Sequence, residues 1–285
     1  MNYLKRVSKM TNEHFKFYKQ PRFQNPSLVV GWSEDAGKLG PKVIDFLNKE
    51  LGAEKFCEIE PSDFFPLGEV AIKHDLVQFP ESRFYSCENN NLVIFTSDAP
   101  SYEWHKFLNT VLDVAEYHCG VKELYTIGGI VSLTAHTNPR RISTVVNQPE
   151  LKRMLAGHGL DTDMNYQTPP GGRPTLSSFL LWVAKRRNIG GANLWVEVPF
   201  YLAAGEDLKA WKTMVEFFDK RFSLSIDLEE INQENKNQEG KIKQMRMENP
   251  EIDEYIGKLE SGGKLTSDES EKLVKTIDNL LKKRG

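Results

Sequence analysis

The sequence predicts an α/β protein: a three-layer sandwich with a mostly parallel central sheet, followed by a C-terminal helical appendage. Two patterns carry this. Short apolar runs alternate with stripes of apolar residues spaced three and four apart, the pattern of strands buried on both faces and of helices covering them. After about residue 228 the apolar runs stop, and helical stripes return only near the end.

The elements follow in order. Residues 1–25, with Phe15, Phe17, Tyr18 and Pro21, show no period and read as an irregular N-terminal segment. Leu28-Val29-Val30-Gly31-Trp32 is a strand, and Leu39, Val43, Ile44, Phe46, Leu47 and Leu51 mark a helix with one apolar face. Lys55 to Ile59 is the next strand. Val70-Ala71-Ile72 and Phe84-Tyr85-Ser86 flank a polar, Pro-bearing segment and read as the arms of a hairpin. Leu92 to Thr96 is the clearest strand. Trp104, Phe107, Leu108, Val111, Leu112 and Ala115 form a helical stripe that Ser101 is placed to cap. Glu123 to Ile127 is a strand ending at Gly128-Gly129, and Arg141 to Val146 is another. Pro149 opens a short helix. A Pro- and Gly-rich loop from Tyr166 to Pro174 precedes the helix of Leu176, Phe179, Leu180, Val183 and Ala184. Asn193 to Val198 is the last strand, and Leu208 to Phe218 is the last helix of the body.

The expected organisation is therefore an irregular segment at 1–25, an α/β domain at 26–227 and a charged helical extension at 228–285. Within that extension Asn232 to Glu239 carries no apolar side chain. Two helical stripes follow, Ile252, Tyr255, Ile256, Leu259 and then Leu273, Ile277, Leu280, Leu281, with Ser267 at the start of the second. Helices this short take most of their stability from packing, so the pair is expected to bury its remaining apolar face on a neighbouring subunit or partner, with a tail folded back on its own body as the alternative.

Composition narrows the function classes. The 285 residues hold 37 Lys and Arg against 40 Asp and Glu, a net charge of -3. That balance gives no global attraction to nucleic acid or to an anionic membrane. No run approaches the ~18 apolar residues that span a bilayer. The N-terminus has no apolar h-region of a secretory signal. Cys57, Cys87 and Cys119 are far apart and odd in number, which argues against a disulfide framework and for a reducing cytoplasm.

Gly31 to Leu39 superficially resembles a phosphate-binding loop. It has five residues between Gly31 and Gly37, no hydroxyl after Lys38, and two carboxylates at Glu34 and Asp35, so a tight strand-to-helix turn is expected. Asp98, His105, Ser132 and His136 fall near the C-terminal ends of strands, where open parallel sheets place their ligands. Asp98, Ser132 and His136 are thus the candidate catalytic residues, although no nucleophile elbow surrounds Ser132. The six histidines and three cysteines never reach ligand spacing, so neither metal nor cofactor is expected. Gly128, Gly129, Arg141, Gly171 and Gly172 are the candidate ligand-binding residues, with Arg141 as the cation of a concave surface between two glycine loops.

The order of these motifs resembles the PAC2 family, the proteasome-assembly-chaperone-2-like proteins. Val29-Val30-Gly31 through Gly40 is similar to that family's first strand and glycine turn. Leu92 through Pro100 resembles its strand and polar loop, and Gly120 through Gly129 its central strand. Pro139-Arg140-Arg141 and Asn147 match a common Pro-Arg and Asn, and Glu197-Val198-Pro199-Phe200-Tyr201 its last strand and Pro-x-Tyr turn. The resemblance spans about residues 26 to 230. It implies a phosphorylase/hydrolase-like sandwich and a self-associating assembly chaperone or scaffold that acts on a protein client. The chain departs from the family at Thr168 to Pro174 and at Thr175-Leu176-Ser177-Ser178, where a Gly-rich helix start is common. It also ends Lys282-Lys283-Arg284-Gly285, without the hydrophobic-Tyr-any tail of some proteasome-docking chaperones, which argues against direct docking. A second reading, from the architecture, is a small-molecule enzyme of the phosphorylase or hydrolase type.

Overall fold

A computed structural model describes residues 14–66, 70–165, 167–168 and 170–282. Met1 to Glu13, Tyr166, Pro169 and Lys283-Arg284-Gly285, all used in the sequence reading, lie outside the described residues.

Among the described residues the main sheet has eight strands. They are β1 (Phe15–Phe17), β2 (Ser27–Trp32), β3 (Glu54–Ile59), β6 (Ser82–Cys87), β7 (Leu92–Ser97), β8 (Glu123–Ser132), β9 (Ile142–Val146) and β10 (Gly190–Pro199). Their spatial order is β1-β3-β6-β7-β2-β8-β10-β9. The inner four, β7, β2, β8 and β10, are parallel, and the pairings outside them are antiparallel. These are the four runs whose continuous hydrophobicity marks strands covered on both faces. Val30, Val93, Phe95 and Val196 are fully buried and Ile127 nearly so.

Alternate residues feed two cores, because successive side chains of a strand point to opposite faces. Leu28, Val30, Val93 and Phe95 pack under α2 (Trp104–Asp113) and α4 (Leu176–Arg186). Val29, Ile94, Tyr125 and Leu194 pack under α1 (Leu39–Glu50) and α5 (Leu208–Phe222). The short α3 (Pro149–Ala156) adds Leu155 to the second core. The result is the expected three-layer sandwich.

Several local expectations are corrected. Phe15–Phe17 is a short edge strand paired with β3, not irregular chain. Phe84 to Ser86 does not form a hairpin with residues 70–72: β6 joins the main sheet between β3 and β7. The hairpin is β4 (Ala71–Lys73) against β5 (Leu76–Gln78), turned by His74 and Asp75 in left-handed conformation. Phe84 and Phe95 are opposite one another, with ring centroids 4.5 Å apart, and this cross-strand contact fixes β6. Glu103, with φ of 55°, precedes α2 where Ser101 was expected to cap it.

The largest correction concerns the tail. Residues past 228 form α6 (Glu229–Glu248), α7 (Pro250–Glu260) and α8 (Ser267–Lys282). Their apolar residues bury on the chain's own body, not on a neighbouring subunit. Ile231, Ile242, Met245, Ile252, Ile256, Leu273 and Ile277 belong to the same core as Met214 and Phe218 of α5. The polar stretch is part of α6, and Gln238 inside it is buried. Its amide donates to the Glu206 carbonyl at 2.7 Å. Arg246 then clamps α6 to α7 through Asp253 and Glu260. The cap of α8 is Thr266, whose hydroxyl accepts from the Glu269 N–H while Glu269 accepts from the Thr266 N–H, a reciprocal capping box.

Candidate functional site

The C-terminal end of the parallel strands is the first place to look for a site, since the strand-to-helix turns open there. The turn after β2 is closed from within. The Asp35 carboxylate accepts N–H bonds from Gly40 at 2.9 Å and from Gly129 at 2.7 Å. Burial pushes this carboxyl above the usual range, and the backbone N–H groups oppose that rise. A P-loop would aim such N–H groups at a phosphate; here an internal carboxylate takes them.

Gly128 and Gly129 are not the end of a strand. They sit inside β8, which runs on to Ser132 in register with β10. A Cβ on Gly129 would lie 2.4 Å from the Ala36 carbonyl oxygen, so glycine is what lets β8 pass against the turn. A Cβ on Gly128 would meet the Trp195 ring at 2.7 Å. Gly171 and Gly172 lie in an exposed loop, Gly171 with φ of +79°. Arg141 is exposed and paired with Glu197, Nη2 to Oε1 at 2.7 Å.

The three catalytic candidates have three separate sets of partners. Asp98 accepts from the Ser33 hydroxyl and, at 3.3 Å, from the Glu81 N–H. The Ser132 hydroxyl bonds that of Thr134 at 2.6 Å. His136 is buried against Tyr201, whose hydroxyl oxygen accepts the His136 N–H at 2.5 Å and lies 2.9 Å from Nδ1. The Tyr201 hydroxyl thus holds both the backbone and the ring of His136. Burial, aided by the cations Arg246 and Arg140, pushes His136 down to about 4. Asp98, Ser132 and His136 therefore do not form a hydrogen-bonded relay.

Arg140, not Arg141, is the buried guanidinium. Its Nε donates to Asp207 Oδ2 at 2.8 Å, and both side chains are 1% exposed. Its Nη1 also donates to the Asn138 carbonyl at 2.8 Å. Asp207 in turn accepts the Ala210 N–H and caps α5. The adjacent Arg140 and Arg141 give no sign in the sequence of which one turns inward.

Two clefts open near this end. One, of about 550 Å3, lies between His136, Thr137, Lys209 and the tail residues Lys243, Arg246 and Asp253. The other, of about 1100 Å3, separates the β4–β5 hairpin from the ends of β2, β3 and β7, and its walls include Glu34, Glu58, Glu81, Asp98, Leu76 and Phe79. Large apolar side chains project around it. Ile72, Leu76, Val77 and Phe79 of the hairpin region are 54–76% exposed. Ile130, Val131 and Leu133, at the end of β8, are also exposed. Among the described residues no group of three His, Cys, Asp or Glu is placed to hold a metal ion, and no helix is long and apolar enough to cross a membrane.

The architecture is shared with solved structures. Pyrococcus furiosus PbaB, an archaeal proteasome activator, is 24% identical, with a TM-score of 0.66 over 81% of this chain and 98% of its own. A Mycobacterium tuberculosis protein of unknown function superposes with a TM-score of 0.75 at 18% identity, over 94% of this chain and 97% of its own. A PAC2 family protein from Streptomyces avermitilis gives 0.66 at 20% identity, over 81% and 99%. No curated protein matches the chain. The PAC2 family model matches residues 28–246, from the first buried strand through almost all of α6. A match of that extent, on a sheet with the expected parallel centre, means that the chain belongs to the PAC2 family.

Proposed function

We propose that this chain is a non-enzymatic protein-binding member of the family, which associates with itself and acts on partner proteins as an assembly chaperone or scaffold. The observation that carries this reading is the exposed apolar surface at the C-terminal end of the sheet. Ile72, Leu76, Val77 and Phe79 stand on one side of it, and Ile130, Val131 and Leu133 extend from β8. Exposed large apolar side chains grouped in this way mark surfaces that protein contacts cover. Against catalysis stands the engagement of Asp98, Ser132 and His136 with separate partners. The family membership supports the same reading. Two of its structural neighbours, both from Pyrococcus furiosus, are described as a proteasome activator and as a homologue of a proteasome-assembly chaperone. A cytoplasmic setting fits the three unpaired, buried cysteines.

Sedimentation velocity of the full chain from about 1 to 100 μM tests the self-association, because that range brackets micromolar affinities. The expected result is a concentration-dependent oligomer that Val131→Asp/Leu133→Asp weakens without unfolding the protein, since both side chains are exposed. A chain that stays monomeric throughout, or an oligomer indifferent to this double variant, overturns the reading of that surface.

A further inference from the structure

We propose that two copies of this chain meet through unlike surfaces: the Trp182–Arg186 face of α4 on one copy seats against the acidic cleft beneath the β4–β5 hairpin of another. This rests on reading the chain as self-associating, and it names the two surfaces that meet.

The first surface is the outer side of α4. Trp182 is 44% exposed, although its ring packs beside Phe179, with centroids 5.4 Å apart, and beside His105 at 6.2 Å. The Arg186 guanidinium lies over the same ring, 4.4 Å from its centre. Lys185 and Arg186 are both exposed, and neither pairs with a carboxylate among the described ion pairs. A large aromatic side chain held in place by its neighbours, beside an unneutralised arginine, is the combination that carries binding energy at protein interfaces.

The second surface is the cleft. Its wall has four carboxylates, Glu34, Glu58, Glu81 and Asp98, against one cation, Arg83. Glu81 holds Arg83, and Lys55 pairs with Glu58 at 3.2 Å. Glu34 and Asp98 have no cation among the described ion pairs. Leu76 and Phe79 are exposed beside them. Unmatched carboxylates with exposed apolar side chains thus complement unmatched cations beside an exposed indole. Opposite charge on facing patches steers partners together and sets their register.

The position of the two surfaces names the occupant. Arg186 lies just before Gly190, where β10 starts, and Gly190 is in register with Glu123, the first residue of β8. The cation face therefore reaches the N-terminal end of the parallel strands. Ser33 and Asp98 of the cleft wall directly follow the last residues of β2 and β7, at the C-terminal end. Both surfaces are built on packed elements at opposite ends of one sheet, so a chain cannot bring its own two together. A second copy supplies the complement that each lacks.

Sedimentation velocity of full chains carrying charge reversals tests this. Lys185→Glu/Arg186→Glu and Glu34→Lys/Glu81→Lys alter exposed side chains, and circular dichroism checks that both variants fold. Each variant alone should associate about 10–100-fold more weakly than wild type, because close charge pairs across an interface contribute about tenfold or more. A 1:1 mixture of the two should recover most of the association, since each variant supplies the face that matches the other's. Trp182→Ala should weaken association as well, and so should 0.5 M salt, which screens exposed charges. Association indifferent to both charge reversals, or a mixture no stronger than its components, overturns the proposal and leaves the self-association reading standing. A wild-type chain that stays monomeric to about 100 μM overturns both.

Discussion

Removing the Asp207 carboxylate should be among the most damaging single changes in this protein. In Asp207→Ala the Arg140 guanidinium stays at 1% exposure with only carbonyl oxygens for company. Breaking a buried pair by deleting one partner costs about 3–5 kcal/mol, because the remaining charge has no route to water. Asp207 also accepts the Ala210 N–H at the start of α5, and a lost N-cap costs about 1 kcal/mol more. The expected loss is about 4–6 kcal/mol. With an m-value of about 3 kcal/mol/M, the urea midpoint falls by about 1.3–2 M. Asp207→Asn keeps the capping oxygen and removes the charge, so it should recover only about 1 kcal/mol of this. Arg140→Met/Asp207→Leu should recover more than half, since apolar residues of similar volume often replace a buried pair without loss. Urea unfolding followed by far-UV circular dichroism measures all three. An Asp207→Ala loss under about 1 kcal/mol, or a double variant no better than the single one, refutes the idea that this pair ties residues 136–140 to α5.

Two further outcomes follow from the same region. Gly129→Ala places a methyl 2.4 Å from the Ala36 carbonyl oxygen, both parts of packed backbone, and should cost about 2–3 kcal/mol in thermal or urea unfolding, whereas an unchanged midpoint would mean that β8 does not press on the turn. His136 titrates near 4 in the fold against 6.5 unfolded, so the unfolded chain takes the proton first. Stability is fully present above pH 6.5 and falls as the pH drops towards 4, by about 2 kcal/mol at pH 5 and about 3 in all. His136→Gln should flatten that part of the pH profile, and a profile identical to the wild type's would exclude His136 as its source.

The central sheet was legible because strands covered on both faces leave an uninterrupted apolar run. The runs 92–96 and 193–198 need no partner to be recognised, although β10 begins earlier, at Gly190. Partner choice was less legible. Strand β6 alternates buried and half-buried residues, which fits a hairpin arm as well as an internal strand, and only the Phe84–Phe95 contact decides. Gly128-Gly129 reads as a strand end because glycine usually punctuates; here it permits a close approach. The tail misled through dilution. In α6 the inward residues Ile231, Gln238, Ile242 and Met245 are separated by long polar intervals, so the helix reads as solvated although one narrow stripe is buried. At the candidate site the obstacles are sequence distance and identity. His136 and Tyr201 are 65 residues apart, and Arg140 differs from Arg141 only in which way the backbone turns it.

The polar groups at the C-terminal end of the sheet bear on the proposed contact surface. Asp35 takes the Gly40 and Gly129 N–H groups, Asp98 takes the Ser33 hydroxyl and the Glu81 N–H, and Asp207 takes Arg140. A small polar ligand seeking these groups must displace an internal partner, and each buried group left unpaired costs about 1–3 kcal/mol. A protein surface meets no such opposition at the hairpin. Covering Ile72, Leu76, Val77 and Phe79 removes apolar area from water at about 25 cal/mol per Å2 and disturbs none of these hydrogen bonds. Contact across the hairpin therefore keeps the internal polar pairs intact, whereas a ligand bound among them would not. This contrast supports the proposed reading of this end as a binding surface.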